Sequence, residues 1–248
     1  MNLNNLIAKG DNVDVYRDGD LVIKIFKEDQ PKTAAMYEAL THSRVETTGL
    51  PMPIIHEISK IDGKWAIIMD HIEGKTLYQL MKENPEKEKE YIDLMVDIQL
   101  KIHEKYAPLL SKLKDKMKRQ IKSLECIDEV EKYELLTRLE SMPKHTKLCH
   151  CNFTPMNVII NDNGYFIVDW VAARQGNASA DVGKTYLMLS IDFPEVAEYY
   201  LDSFCNKSGT KKKYVQEWLP IVAATQLTLN KPEERELLMK WIDVVDYE

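Results

Sequence analysis

The segment from Leu148 to Trp170 constrains the fold more than any other part of the chain. Three short apolar runs, Leu148-Cys149-His150, Val158-Ile159-Ile160 and Tyr165-Phe166-Ile167-Val168, follow one another with only polar residues between them. Runs this short, rich in β-branched and aromatic residues and bounded by polar punctuation, read as strands. Asn161-Asp162-Asn163-Gly164 supplies a hairpin turn between the last two, because Asn, Asp and Gly accept the left-handed backbone such turns require. Long helical patterns flank this β island on both sides. A fold that holds it must mix the two kinds of structure.

The rest of the chain divides accordingly. Residues 1–68 are strand-rich. Leu6-Ile7-Ala8 leads into Gly10-Asp11-Asn12, Val13-Asp14-Val15-Tyr16 alternates apolar with polar, and Arg17-Asp18-Gly19-Asp20 closes a hairpin. Leu21-Val22-Ile23-Lys24-Ile25-Phe26 reads as a buried strand interrupted by one lysine. Pro31 opens a helix that runs to about Thr48, since proline suits a first turn, and Gly49-Leu50-Pro51-Met52-Pro53 breaks it. Two more strands fit residues 54–58 and 65–69, joined by Ile61-Asp62-Gly63-Lys64. After Gly74 amphipathic helices take over. In residues 91–106, Ile92, Met95, Val96, Gln99, Leu100 and His103 recur at helical spacing. Residues 112–139 read as a charged helical connector with a solvated face, and the chain from Asp181 is helical again.

The composition excludes several classes. The hydrophobic share is 44% and the charged share 29%, as in ordinary globular domains. A net charge of −7 argues against nucleic acid as a partner, and suits a cationic substrate without selecting one. No stretch approaches the roughly 20 apolar residues of a membrane helix, and Met1-Asn2-Leu3-Asn4-Asn5 lacks the features of a secretion signal. Four cysteines make no disulfide framework, so reduced thiols and a cytoplasmic setting are expected. Cys149, His150 and Cys151 do not form a zinc site, because adjacent strand positions point to opposite faces.

Lys24 needs a partner, since an unpaired charge inside a strand is costly. Glu38, on the helix that follows, is the candidate. A lysine on a third strand paired with a glutamate on the next helix is how kinases hold nucleotide phosphates. The loop at Gly10-Asp11-Asn12-Val13 is a poor phosphate loop, with one glycine.

The loop Leu148-Cys149-His150-Cys151-Asn152-Phe153-Thr154-Pro155-Met156-Asn157, followed by Val158-Ile159-Ile160, resembles the catalytic loop of the aminoglycoside phosphotransferase family, which reads H-G-D-x-x-x-x-N before an apolar strand. His150, Pro155 and Asn157 match. Asp169-Trp170 ends the next strand as the family's Asp-Trp or Asp-Phe does, where protein kinases place Asp-Phe-Gly. Ala173-Arg174-Gln175-Gly176, Ala180-Asp181-Val182-Gly183, the stretch 68–77 and the stretch 98–103 extend the likeness over residues 5 to 190.

The resemblance implies an α+β, bilobal protein-kinase-like fold. Its antiparallel-sheet N-terminal lobe would span residues 1–68, its hinge 69–74, and its helical C-terminal lobe 75–248. It implies ATP or GTP and Mg2+ as cofactors and a small hydroxylated acceptor as substrate. Asn157 and Asp169 would hold magnesium. Lys24, steadied by Glu38, would contact the α- and β-phosphates near Gly10, and the backbone of Asp70 and Ile72 would meet adenine. His150, His103 and Asp181 would be scaffold, and Trp170 core. Glu195, Glu198, Asp202 and the acidic tail 243–248 are candidates to receive a cationic acceptor.

Asn152 stands where the family has its catalytic aspartate, and an amide cannot take a proton at neutral pH. Cys151 replaces the family's glycine and Thr154 its frequent histidine. A working phosphotransferase and a nucleotide-binding pseudokinase both remain open at this point.

Overall fold

The computed structural model describes residues 3–242, so the acidic tail at 243–248 lies outside the described residues. They form two compact units, one of residues 3–82 with Pro155–Ala173, the other of Glu83–Thr154 with residues 174–242. The lobes drawn from the sequence are contiguous, and these units are not. Residues 155–173 group with the first unit because their hairpin pairs with the short strand Lys75–Thr76 there, in a separate three-stranded sheet.

In the first unit β1 (Leu6–Lys9), β2 (Val13–Asp18) and β3 (Leu21–Phe26) form a meander, α1 (Lys32–Glu46) follows, and β4 (Ile55–Ile61) and β5 (Lys64–Asp70) complete an antiparallel sheet ordered β1-β2-β3-β5-β4. Side chains alternate between the faces of a strand. Ile23 and Ile25 therefore pack with Ala66 and Ile68 on one face, while Phe26 joins Ile67, Met69, Ala35 and Ala39 on the face covered by α1. Lys24 shares this helix-side parity. On α1 the buried positions Ala35, Glu38, Ala39, His42 and Val45 recur at three- and four-residue intervals, so Glu38 lies within the buried stripe.

Next come β6 (Lys75–Thr76) and α2 (Leu77–Glu83). The second unit begins with α3 (Glu88–His103), which buries Ile92, Met95, Val96, Gln99, Ile102 and His103. Residues 112–139 are not the solvated connector expected. They form α4 (Leu113–Ser123) and α5 (Glu129–Ser141), and Leu113, Met117, Ile121, Leu135 and Leu139 enter the core of this unit. Every fourth residue of α4 is apolar among lysines, and that thin stripe suffices to bury one face. α5 starts on a capping box between Asp128 and Glu131.

β7 (Lys147–Cys149) then precedes the hairpin of β8 (Val158–Asn161) and β9 (Gly164–Ile167). The three runs do not make one sheet. β8 pairs with β9 and β6, whereas β7 pairs with β10 (Arg174–Gly176). Gly74 makes the β6–β8 approach possible: its φ is +148°, and a Cβ there would sit 2.5 Å from the Ile160 carbonyl oxygen.

The chain ends in α6 (Ala178–Asp192), α7 (Pro194–Ser208), α8 (Lys212–Gln216), α9 (Leu219–Leu227) and α10 (Arg235–Ile242). α9 is buried along its whole length, and Trp218, Ile221 and Val222 anchor the core around it. No helix among the described residues is long and apolar enough to cross a membrane.

Candidate active site

In the first unit the geometry converges on Lys24. Val15 and Ile67 flank it on the neighbouring strands, and its side chain is 15% exposed. Its ammonium forms an ion pair and hydrogen bond with Glu38, itself 9% exposed, and lies 3.4 Å from Asp169 Oδ1. Burial works against the charge, but the carboxylates of Glu38 and Asp169 outweigh it and leave the lysine pKa raised. Lys24 is therefore a fixed cation with an anion on either side.

Asp169 is held from behind. Val168 N–H donates to the Asn157 carbonyl at 3.0 Å, continuing the Val158–Ile167 pairing, and Ile167 N–H donates to the Pro51 carbonyl at 2.9 Å. At Asp169 the backbone turns left-handed, with φ 64° and ψ 58°. A non-glycine residue there costs on the order of 1 kcal/mol and persists where its surroundings dictate it. The turn ends β9 abruptly and leads into Trp170, which is buried and donates its indole N–H to the Ile167 carbonyl at 3.1 Å.

Asn157 and Asp169 thus come from the two ends of one hairpin. Together they offer an amide oxygen and a carboxylate, an oxygen-only pair. Magnesium takes few protein ligands and completes its shell with phosphates and water, so this pair suits it, with Lys24 beside it to meet phosphate charge.

Gly10 closes the β1–β2 turn, donating its N–H to the Val13 carbonyl at 2.9 Å, and a Cβ on it would crowd that same oxygen. At the end of β5 the Asp70 carboxylate accepts the Ile54 N–H at 2.9 Å and bonds His56 Nε2 at 2.7 Å. The backbone N–H groups of Asp70 and His71 are taken by the carbonyls of Ile54 and Asp20.

In the second unit the loop after β7 is organised by Asp181, 1% exposed on α6. Its Oδ1 accepts the Cys151 N–H at 2.6 Å. Its Oδ2 meets the His150 N–H at 3.2 Å and His103 Nε2 at 2.9 Å, with Gln99 Nε2 at 3.4 Å. Burial alone would raise the Asp181 pKa, but His103 and the loop amides hold it below the ordinary value. His150 is fully buried, with its ring edge-on to Phe153 at 5.7 Å. Cys151 has φ 64°, the left-handed conformation that a glycine would adopt freely. Its thiol is pushed up to about 12 by burial and by the Asp181 charge, so it is no nucleophile at neutral pH.

A family profile described as the phosphotransferase enzyme family matches residues 7–218. The chain belongs to that family. Solved structures agree on the kinase-like fold. Aminoglycoside phosphotransferase APH(4)-Ia, as a thermostable mutant in its apo form, superposes with a TM-score of 0.69 at 14% identity, covering 96% of this chain and 92% of the other. ADP-bound aminoglycoside phosphotransferase APH(2'')-Ib gives 0.63 at 18% identity, covering 96% and 90%. A choline/ethanolamine kinase family protein from Mesorhizobium loti gives 0.62 at 16%, covering 100% and 83%. A search of curated protein sequences finds no match.

Within this family member the first unit joins Lys24, Glu38 and Asp169 and carries Asn157 at the start of the same hairpin, and the second unit holds His150 and Asn152 on the loop anchored by Asp181. The contact between Lys24 and Asp169 spans 145 residues and has no local signal in the sequence. Of the acidic residues named for a cationic acceptor, Glu198 and Asp202 are both held by Lys212 at 2.7 Å, while Glu195 is exposed in the first turn of α7.

Proposed function

We propose that this protein is a phosphotransferase that moves the γ-phosphoryl group of ATP or GTP to the hydroxyl of a small molecule in the cytoplasm. The observation that carries the reading is the Lys24 ammonium held between Glu38 and Asp169, an arrangement with no evident structural purpose that suits a nucleotide's phosphates. Magnesium, when bound by Asn157 and Asp169, would neutralise charge building on the transferred group. Lys24 supplies a fixed positive charge, and Glu38 keeps it from collapsing onto Asp169. With the Asp70 and His71 amides engaged, the N–H of Ile72 and the carbonyl of Asp70 serve adenine. In the transfer, the acceptor oxygen bonds to phosphorus as the bond to the nucleoside diphosphate oxygen breaks. The hydroxyl proton goes to solvent or to the phosphate, because Asn152 orients the hydroxyl without taking its proton.

ATP with magnesium should raise the unfolding temperature, with about 2.7 kcal/mol of added stability at 100 times the dissociation constant. Asp169→Ala should remove the magnesium-dependent part. No shift with ATP, GTP or ADP, with or without metal, would overturn the reading and leave the fold.

The residue at 152 favours one alternative, a nucleotide-binding pseudokinase. Asn152→Asp separates the two. In a slow phosphotransferase with an intact acceptor site, a restored base should raise turnover by ~10²-fold or more. A pseudokinase whose acceptor site has drifted should gain almost nothing. A wild type that already turns over fast, and loses activity on this change, would mean that the amide is the working group.

A further inference from the structure

A cleft of about 270 Å³ opens in the second unit between the start of α4, the end of α5 and β10. Lys112, Lys114 and Lys118 line it from α4 and its cap, and Lys144 and His145 from the segment after α5. β10 is held against α4 here: Lys112 bridges Gln175, and a Cβ on Gly176 would meet the Leu113 side chain at 2.7 Å. Two walls of the cleft are therefore regular secondary structure.

The lining carries four lysines against two acids, Asp115 and Glu140, a surplus of two positive charges. Lys144 reaches Glu140 only at 3.9 Å. Lys112, Lys114 and Lys118 have no carboxylate within ion-pair distance among the described residues. Lys114 instead donates to the carbonyls of Met142 at 2.9 Å and Glu140 at 3.2 Å, closing the last turn of α5. Burial holds its pKa below the ordinary lysine value, and the charges of Lys144 and Lys118 push the same way against that of Glu140. Like charges gathered about one recess repel, and an anion seated among them relieves the repulsion through charge-assisted hydrogen bonds. Asn177, also in the lining, is already committed to Tyr214 and Ser179, so recognition falls to the lysines and His145.

We propose that this cleft is a binding site for the phosphomonoester of a small polyol. The surplus of two charges matches the near-dianion such an ester carries at neutral pH. The volume of about 270 Å³ falls just short of the usual range of ligand pockets, roughly 300–1,000 Å³, so the ligand is small. No phenylalanine, tyrosine or tryptophan lines the cleft, and a nucleobase would find no such ring to stack on. Asp115, Glu140 and Thr146 offer acceptor oxygens to the hydroxyl groups of the same molecule. The site stands apart from the phosphotransferase reading, since Lys24, Asn152, Asn157 and Asp169 are all outside its lining.

The test titrates glycerol 3-phosphate and glucose 6-phosphate into the full chain by calorimetry, with glycerol and glucose as neutral controls, and repeats each titration with ADP and magnesium present. At least one ester should bind about tenfold or more tightly than its neutral control, and ADP should not displace it. Lys118→Met and Lys144→Met should each weaken that binding by about tenfold. Both lysines are exposed, so both variants should unfold at the wild-type temperature. Lys144→Arg, which keeps the charge, and Lys122→Met, at an exposed position of α4 outside the lining, should change the affinity by less than about twofold. With ADP and magnesium present, AMP should bind more weakly than the preferred ester. Ester binding that ADP abolishes, that only equals the neutral control, or that ignores both Met substitutions would overturn the proposal, as would tighter binding of AMP.

Discussion

Asp181→Ala removes one side chain and orphans several donors at once. In the wild type its carboxylate accepts from Cys151 N–H at 2.6 Å, His150 N–H at 3.2 Å and His103 at 2.9 Å, all in a region closed to water. Each buried donor left without an acceptor costs roughly 1–3 kcal/mol. Because these penalties overlap, the expected loss is about 4 kcal/mol. For a chain of this size each kcal/mol lowers the unfolding temperature by about 2–4 °C, so the shift should be about 8–16 °C in the helical circular-dichroism signal. Asp181→Asn keeps an acceptor for Cys151 and loses the charge, so about half that loss is expected.

The pH dependence checks the cause. The folded Asp181 pKa lies below its ordinary value of 3.8, so its contribution is fully present above about pH 4 and is lost as pH falls through the depressed folded value. The gap between wild type and Asp181→Asn should be flat from pH 8 to 5 and narrow below 4. An Asp181→Ala protein within about 1 kcal/mol of wild type, or a gap that widens on acidification, would refute the view that this carboxylate holds the loop.

Three further outcomes follow from the geometry. Lys24→Ala should weaken nucleotide affinity by at least about tenfold, measured by calorimetric titration with ATP and magnesium, while Lys27→Ala, just past the end of β3, changes it little; equal small effects would make Lys24 an ordinary strand lysine. Gly74→Ala should destabilise the first unit by more than about 1 kcal/mol in urea unfolding, because φ +148° and the Ile160 carbonyl leave a Cβ no room. Cys151, with its thiol near 12, should resist iodoacetamide at pH 8 in the folded protein and label fully in urea, as peptide mass spectrometry would report; rapid labelling of the folded chain would contradict that raised thiol.

Much of the candidate site was legible from local pattern. Lys24 stood out because it interrupts an apolar strand and needs a partner, and Glu38 because the next helix supplies it as that partner. Asn157 and Asp169 were marked by the resemblance of this loop and the strand after it to the phosphotransferase family's, and local pattern alone would read them as a turn residue and a cap. The nature of each element, strand or helix, also followed from periodicity in most places, since that depends on side chains a few residues apart.

What the amino-acid order left undecided was partnership across distance. The runs at 148 and 158 look like neighbours in one island. Yet β7 pairs with β10 and β8 with β6, because a short strand satisfies its backbone with whichever edge the fold presents, and no local pattern names that edge. The lysines of α4 look like a solvated face until the helix packs, when the apolar stripe at Leu113, Met117 and Ile121 turns inward and Lys116 is drawn in beside it. Lys24 and Asp169 are separated by 145 residues and share no motif, yet they lie 3.4 Å apart. Only folding brings their charges together, because a Coulomb interaction depends on distance through space and not along the chain.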